Sequence, residues 1–241
     1  MDPRPMRTMT DMGMADMAGM PGMDMKVDQP KTPMADMPGM DMKGMDMSSM
    51  PGIGPAKAPP KSLVVVNADG VDPRILAGKP AVDNLAMTAR NRMSEAGDGL
   101  AGNGRKVLLY TDLRGLHPDP DTRAPDREIE FHMTGNMERW TWGFDGRKFT
   151  QAAPVRVALG ERVRFTLVND TMMEHPIHLH GFLFSVENGQ DGALPLKHTI
   201  NVKPGERASF VYTADTPGRW AFHCHLLYHM ESGMFRTVLV A

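Results

Sequence analysis

The stretch His223-Cys224-His225-Leu226-Leu227-Tyr228-His229, followed by Met234, decides how the rest of this chain is read. In an extended strand, residues two apart share a face. His223 and His225 therefore point one way and Cys224 points the other. A second stretch, His175-Pro176-Ile177-His178-Leu179-His180-Gly181, puts His178 and His180 on one face by the same rule. Two donor sets are thus predicted back to back across one strand. One gathers the imidazoles of His178, His180, His223 and His225. The other gathers Cys224 with His175, His229 and Met234.

The second set has the composition of a blue-copper centre: two imidazoles, one thiolate and a weak axial thioether. Imidazole suits both oxidation states of copper, and the soft thioether favours the reduced one. Met230 is a poor rival for the axial place, because it adjoins the ligand His229 in sequence. Gly233 lends flexibility to the short loop that must bring His229 and Met234 to one ion. Zinc is the competing metal, since Cys/His sets also suit it; the methionine closing the loop argues for copper. A lone histidine is usually a surface or core residue, and a lone cysteine a small buried hydrophobe. Donors at these spacings are not explained that way.

Outward from these motifs, the C-terminal half reads as short strands with turn signals about every ten residues. Glu128–Thr134 alternates, with Ile129, Phe131 and Met133 on one face. Arg139–Phe149 reads as a hairpin around Asp145-Gly146. Val155–Leu159 and Val163–Val168 are expected to pair across Gly160-Glu161, and Thr199–Val202 and Ala208–Tyr212 across Pro204-Gly205. Arg219–His225 and Phe235–Val240 complete an all-β unit over 126–241, a size at which sandwiches fold alone. Residues 61–125 read as linker with one or two docked strands, at Leu63–Val66 and Val107–Tyr110.

The pair His-Pro-x-His-x-His-Gly and His-Cys-His-x3-His-x4-Met resembles the C-terminal cupredoxin domain of a multicopper oxidase of the bacterial copper-resistance A type. Thr134-Gly135-Asn136-Met137-Glu138-Arg139 and Val168-Asn169-Asp170-Thr171-Met172-Met173 resemble that subfamily too. The resemblance implies a Greek-key cupredoxin β-sandwich and a periplasmic location. It implies type 1 copper on His175, Cys224, His229 and Met234. His178, His180, His223 and His225 would then be half the ligands of a trinuclear copper cluster that reduces O2 to water. Cys224, His223 and His225 would carry the electrons between the two sites. Family members take two further His-x-His pairs from an N-terminal cupredoxin domain. Here no His-x-His precedes His178, so the missing half is expected from the rest of a longer oxidase or from a partner chain.

Residues 1–60 have a different character. Of the 24 methionines, 16 fall between Met1 and Met50, and the only Ile, Leu, Val or Phe residues before Lys61 are Val27 and Ile53. Such a segment cannot build a core and reads as disordered when metal-free. Its thioethers at Met12, Met14, Met17, Met20, Met23, Met25, Met37, Met40, Met42, Met45 and Met47 have spacings that let a flexible chain wrap Cu(I), a soft cation. The net charge of -2 gives no electrostatic case for nucleic-acid binding. No apolar run is long enough for a transmembrane helix, and no apolar signal core precedes the methionine tract. His132, alternating away from Phe131, is expected to be solvated. His198, on the face of Ile200 and Val202, is expected to have a supporting role, and His117 none. Two functions stay open: a part of a copper oxidase, or a non-enzymatic copper-binding or electron-transfer protein.

Overall fold

The computed structural model describes residues 65–67, 81–97, 99–190 and 192–241. The methionine tract and its expected copper donors lie outside the described residues. In chain order the first strands are β1 (Val65–Asn67), β2 (Arg127–Asn136), β3 (Thr141–Phe144), β4 (Val155–Val157), β5 (Arg162–Asn169) and β6 (His175–Leu179). They continue as β7 (Phe184–Val186), β8 (Leu196–Lys197), β9 (Thr199–Val202), β10 (Arg207–Thr213), β11 (Gly218–Cys224) and β12 (Phe235–Val240), with helix α1 (Leu227–Glu231) before the last. One sheet has the order β1-β2-β5-β10-β7-β8, with β3 also paired to β2; the other has the order β4-β12-β11-β6-β9. The all-β expectation holds, and the two sheets form a sandwich.

The alternation of apolar residues fixes which faces meet. Ile129, Phe131 and Met133 of β2 are all buried, as the period-2 pattern requires. Phe165 of β5 packs between Phe131 at 4.9 Å and Phe222 of the opposite sheet at 5.4 Å. Phe222 also stacks on Phe144. These rings join the two sheets, and burying each contributes roughly 1.5–3 kcal/mol.

Two expected hairpins are instead crossings between sheets. β4 pairs with β12, whereas β5 pairs with β2 and β10. β9 pairs with β6, whereas β10 pairs with β5 and β7. A turn signal marks where a chain reverses but not whether it returns beside itself or across the core. The Asp145-Gly146 turn is real but tiny, bridging Phe144 to Arg147, and the larger hairpin is β2–β3.

Ahead of β2, Val65–Asn67 adds a parallel strand to β2. Val107–Tyr110 makes no strand; the chain turns there into a short 3-10 helix at Tyr110–Asp112. Residues 81–125 are fastened to the sandwich at several points. Met93 is buried, the Arg92 guanidinium donates to the Pro204 carbonyl at 2.7 Å, and the Tyr110 hydroxyl accepts from the Asn201 N–H at 2.9 Å.

Candidate metal centre

The register of β6 against β11 builds both donor sets. His178 lies directly opposite His223, and Cys224 lies opposite Ile177. Ile177 is a core residue, so Cys224 and His175, two positions from Ile177, face the interior. After Cys224 the chain leaves the sheet, and α1 returns His229 to the same interior face. Gly233 then lets the chain re-enter β12. Its φ is +125°, and a β-carbon there would lie 2.8 Å from the Trp142 carbonyl oxygen. Its role is therefore close approach as well as flexibility.

On the interior face three donor atoms converge. The Nδ1 atoms of His175 and His229 are 3.1 Å apart, and Cys224 Sγ lies 3.6 Å from the first and 3.8 Å from the second. Donors held about 2.0–2.3 Å from one common centre give a triangle of this size. All three residues are buried. Met234 is fully buried, and its backbone carbonyl accepts from the Cys224 N–H. Met230, by contrast, lines an outer groove with Phe149 and Phe235.

Protonation follows from burial. Burial, followed by the neighbouring His229, pushes the His175 imidazole down to about 3. Burial also pushes the Cys224 thiol up to about 12 and lowers His229. The pocket therefore presents two neutral imidazoles and a protonated thiol, and a cation entering it must displace the thiol proton. His175 is held in the tautomer that a metal needs. The Thr171 hydroxyl donates to Asn169 Oδ1 at 2.9 Å, which leaves its lone pair to accept from His175 Nε2–H at 2.6 Å. The bare Nδ1 then faces Cys224 and His229. The donor set, its dimensions and its tautomer fit a soft-to-borderline ion such as copper.

The opposite face is wetter and looser. The donor atoms of His178, His180 and His223 lie within 4.8 Å of one another. His180 Nε2 is 3.0 Å from His223 Nε2. The His223 Nδ1–H donates to the Cys224 carbonyl, and the His178 Nδ1–H to the His198 carbonyl, which turns both Nε2 atoms toward the cluster. Burial lowers the affinity of His178 and His223 for a proton. His225 is exposed and stands outside this compact group, its ring centroid 5.7 Å from that of His178.

Among the remaining histidines, His132 is corrected outright. It does alternate away from the core, but it is buried rather than solvated, 2.7 Å from Asp170 Oδ2 and 3.1 Å from Glu130 Oε1. Burial opposes its charge, yet the hydrogen bonds it donates to the Asp170 and then the Glu130 carboxylate outweigh that and hold His132 at about 10. His198 is also displaced from expectation. It sits in a bend before β9, exposed, while Ile200 and Val202 are in the core; it supports His178 through its carbonyl. His117 is exposed. Two contributors escape the motif reading. Thr171 orients His175 from a loop with no periodic signal. Trp142 stacks on His229 at 4.4 Å and 17° between ring planes, and only its place in a β-strand hints that it faces inward.

Residues 122–241 match the family model described as multicopper oxidase. This part of the chain belongs to the multicopper oxidase family. The multicopper oxidase domain and the sequence before it are similar to copper resistance protein A of Escherichia coli, 47% identical over 100% of this chain and 41% of that protein. A copper resistance protein A homolog of Pseudomonas syringae pv. tomato is 48% identical over 100% of this chain and 39% of its own length. The chain thus spans about two fifths of these curated relatives. Among solved structures, the multicopper oxidase Fet3p superposes on 56% of the chain and 35% of its own at 18% identity, with a TM-score of 0.48. No helix among the described residues is long and apolar enough to cross a membrane.

Proposed function

We propose that this chain is the electron-accepting and half-cluster portion of a periplasmic copper oxidase that protects against copper. His175, Cys224 and His229 would hold type 1 copper with Met234 as the axial thioether. His178, His180, His223 and His225 would supply half of a trinuclear cluster. Copper in those places supplies one-electron transfer from Cu(I) or another reductant, and the four-electron reduction of O2 to water. The chain's own residues do the arranging. Cys224 is bonded through its backbone to His223 and His225, so one short covalent path joins a dry pocket to the wet face. Thr171 and Trp142 fix the two imidazoles of the pocket. Two further His-x-His pairs would come from an N-terminal cupredoxin domain of the same protein or from a partner chain.

The observation that carries this reading is the arrangement around β11: the Cys224 sulfur closes a buried triangle with His175 and His229, while His223, its sequence neighbour, meets His178 and His180 on the other face. Copper added to the chain is expected to give an intense thiolate-to-copper absorption that vanishes in Cys224→Ser. Tight Cu(II) binding without that band would sink the type 1 assignment.

The methionine tract belongs to the same proposal as a Cu(I) collector, on the chemistry of its thioethers. Deleting residues 1–50 should lower Cu(I) uptake by several equivalents against a competing chelator and leave the blue band as it was. Equal uptake by both chains would reduce the tract to a tail.

A further inference from the structure

Two residues brace the imidazoles of the buried pocket: Thr171 behind His175 and Trp142 against His229. Both braces meet at Gly135. It lies directly opposite Trp142 in the β2–β3 pair. A β-carbon built on Gly135 would stand 3.0 Å from Trp142 Cδ1 and 3.5 Å from Thr171 Cγ2. Any side chain there would press on the first brace and touch the second.

This junction is held from outside by a stretch that lies ahead of the residues matching the multicopper oxidase family. The Asp83 N–H donates to the Gly135 carbonyl at 2.9 Å. The Asp83 carboxylate accepts from the Met137 N–H at 2.6 Å and from the Asn136 side-chain amide. Three residues on, the Ala86 N–H donates at 2.9 Å to Oδ1 of Asp170, a buried residue that precedes Thr171. The chain is pinned again further along. Arg90 exchanges backbone hydrogen bonds with Gly205 and Arg207, Glu206 Oε1 accepts from the Arg92 N–H, and Met93 enters the core. A stretch that fills the hydrogen bonds of two loops at once ties them together, since either can shift only by breaking a bond to the same backbone. The bond to Asp170 matters most, because a buried oxygen left without its donor cannot turn to water instead.

We propose that residues 83–86 are a positioning clamp for the copper pocket, setting His175 through Thr171 and His229 through Trp142. The inference rests on the type 1 reading of His175, Cys224 and His229. The clamp acts through the two braces and not on the ion. Linkage makes the coupling reciprocal: if docking of the clamp raises copper affinity by some factor, copper holds the clamp closed by the same factor. Whatever displaces this stretch therefore weakens copper binding, although it lies outside the domain that carries the donors.

The test uses the full chain and follows the blue band as a chelator competes for copper. Asp83→Ala, at an exposed position, is expected to lower copper affinity about fivefold. Asp83→Asn should recover most of it by keeping an oxygen for the Met137 N–H. Ala86→Pro, which removes the donor to Asp170, is expected to lower affinity about tenfold. Asp121→Asn is the control. It loosens another fastening of the chain ahead of β2, to Thr213 at the far end of the same sheet, and is expected to weaken folding with copper affinity unchanged. Hydrogen exchange reads the coupling in reverse: copper is expected to slow exchange at residues 83–86 and not at residues 121–123. Should Ala86→Pro fail to fold, Asp83→Ala and the exchange contrast decide. Equal affinity losses in Asp83→Ala and Asp121→Asn, or equal slowing of both stretches, would show general stabilisation and overturn the clamp. An unaltered chain that never turns blue overturns the type 1 reading and this one with it. A blue chain whose affinity is untouched by Asp83→Ala overturns the clamp alone.

Discussion

The two faces of the β6–β11 pair carry similar donors in opposite conditions. On the interior face His175, Cys224 and His229 are all buried, close a triangle with edges of 3.1–3.8 Å, and are braced from behind by Thr171 and Trp142. On the outer face only His223 is buried, His180 and His225 are exposed, and the compact group has three members. The difference teaches how much of each site this chain supplies. A pocket whose donors are already desolvated and oriented costs little to organise around an ion. An open half-ring of imidazoles needs more donors to enclose one.

The contrast is broken most directly by oxygen consumption. Four imidazoles cannot hold three coppers with positions left for O2, so the chain alone is expected to show no steady oxygen uptake with Cu(I) or phenols. Supplying an N-terminal cupredoxin domain with two His-x-His pairs should restore turnover, and His225→Ala should abolish it again while the blue band remains. Robust turnover by the monomeric chain on an oxygen electrode would mean the outer face is complete after all.

A smaller effect sharpens the account of what braces the interior face. His132 is paired to Asp170, whose other oxygen accepts from the Ala86 N–H, and Asp170 adjoins Thr171. Because the folded pKa of about 10 exceeds the ordinary value of 6.5, this pair stabilises the fold fully below about pH 6.5. Its contribution declines as the pH rises and is gone above about pH 10. His132→Gln is expected to destabilise the domain by about 3 kcal/mol at pH 6, with the loss shrinking toward pH 10. Denaturant melts at several pH values measure this, and a pH-independent loss would show that packing rather than charge holds the loop.

Smallest is the effect of one hydroxyl. Thr171→Val keeps the shape behind His175 but removes the acceptor for its Nε2–H. Copper affinity of the pocket is expected to fall roughly tenfold with the absorption maximum nearly unmoved, as read by chelator competition. An unchanged affinity would mean that burial alone orients the imidazole.

Much of this was legible in the residues because strands have a strict period. The alternation through His175–His180 and His223–His225 already separates thiol from cluster imidazoles, and the buried Ile129, Phe131 and Met133 follow from the same rule. What period alone cannot carry is what covers a face. His132 points away from the core, yet Asp170 and Glu130 close over it, so a position that pattern alone leaves in water holds a buried charge.

The sequence by itself determined the donor types, their order and, for His175 and His178 in β6 and His223 and Cys224 in β11, the face each takes, since these depend only on residue chemistry and on strand geometry. The tertiary structure decided which turns cross between sheets and which segments lie behind the donors. β4–β5 and β9–β10 cross between sheets, and β4 and β9 pair with β12 and β6, partners distant in the chain, rather than with the strands that follow them. Trp142 reaches His229 across the fold in the same way, whereas Thr171 reaches His175 from only four residues away, in a bend that carries no periodic signal. Contacts between residues far apart in sequence arise from packing two sheets together, and no local pattern records them.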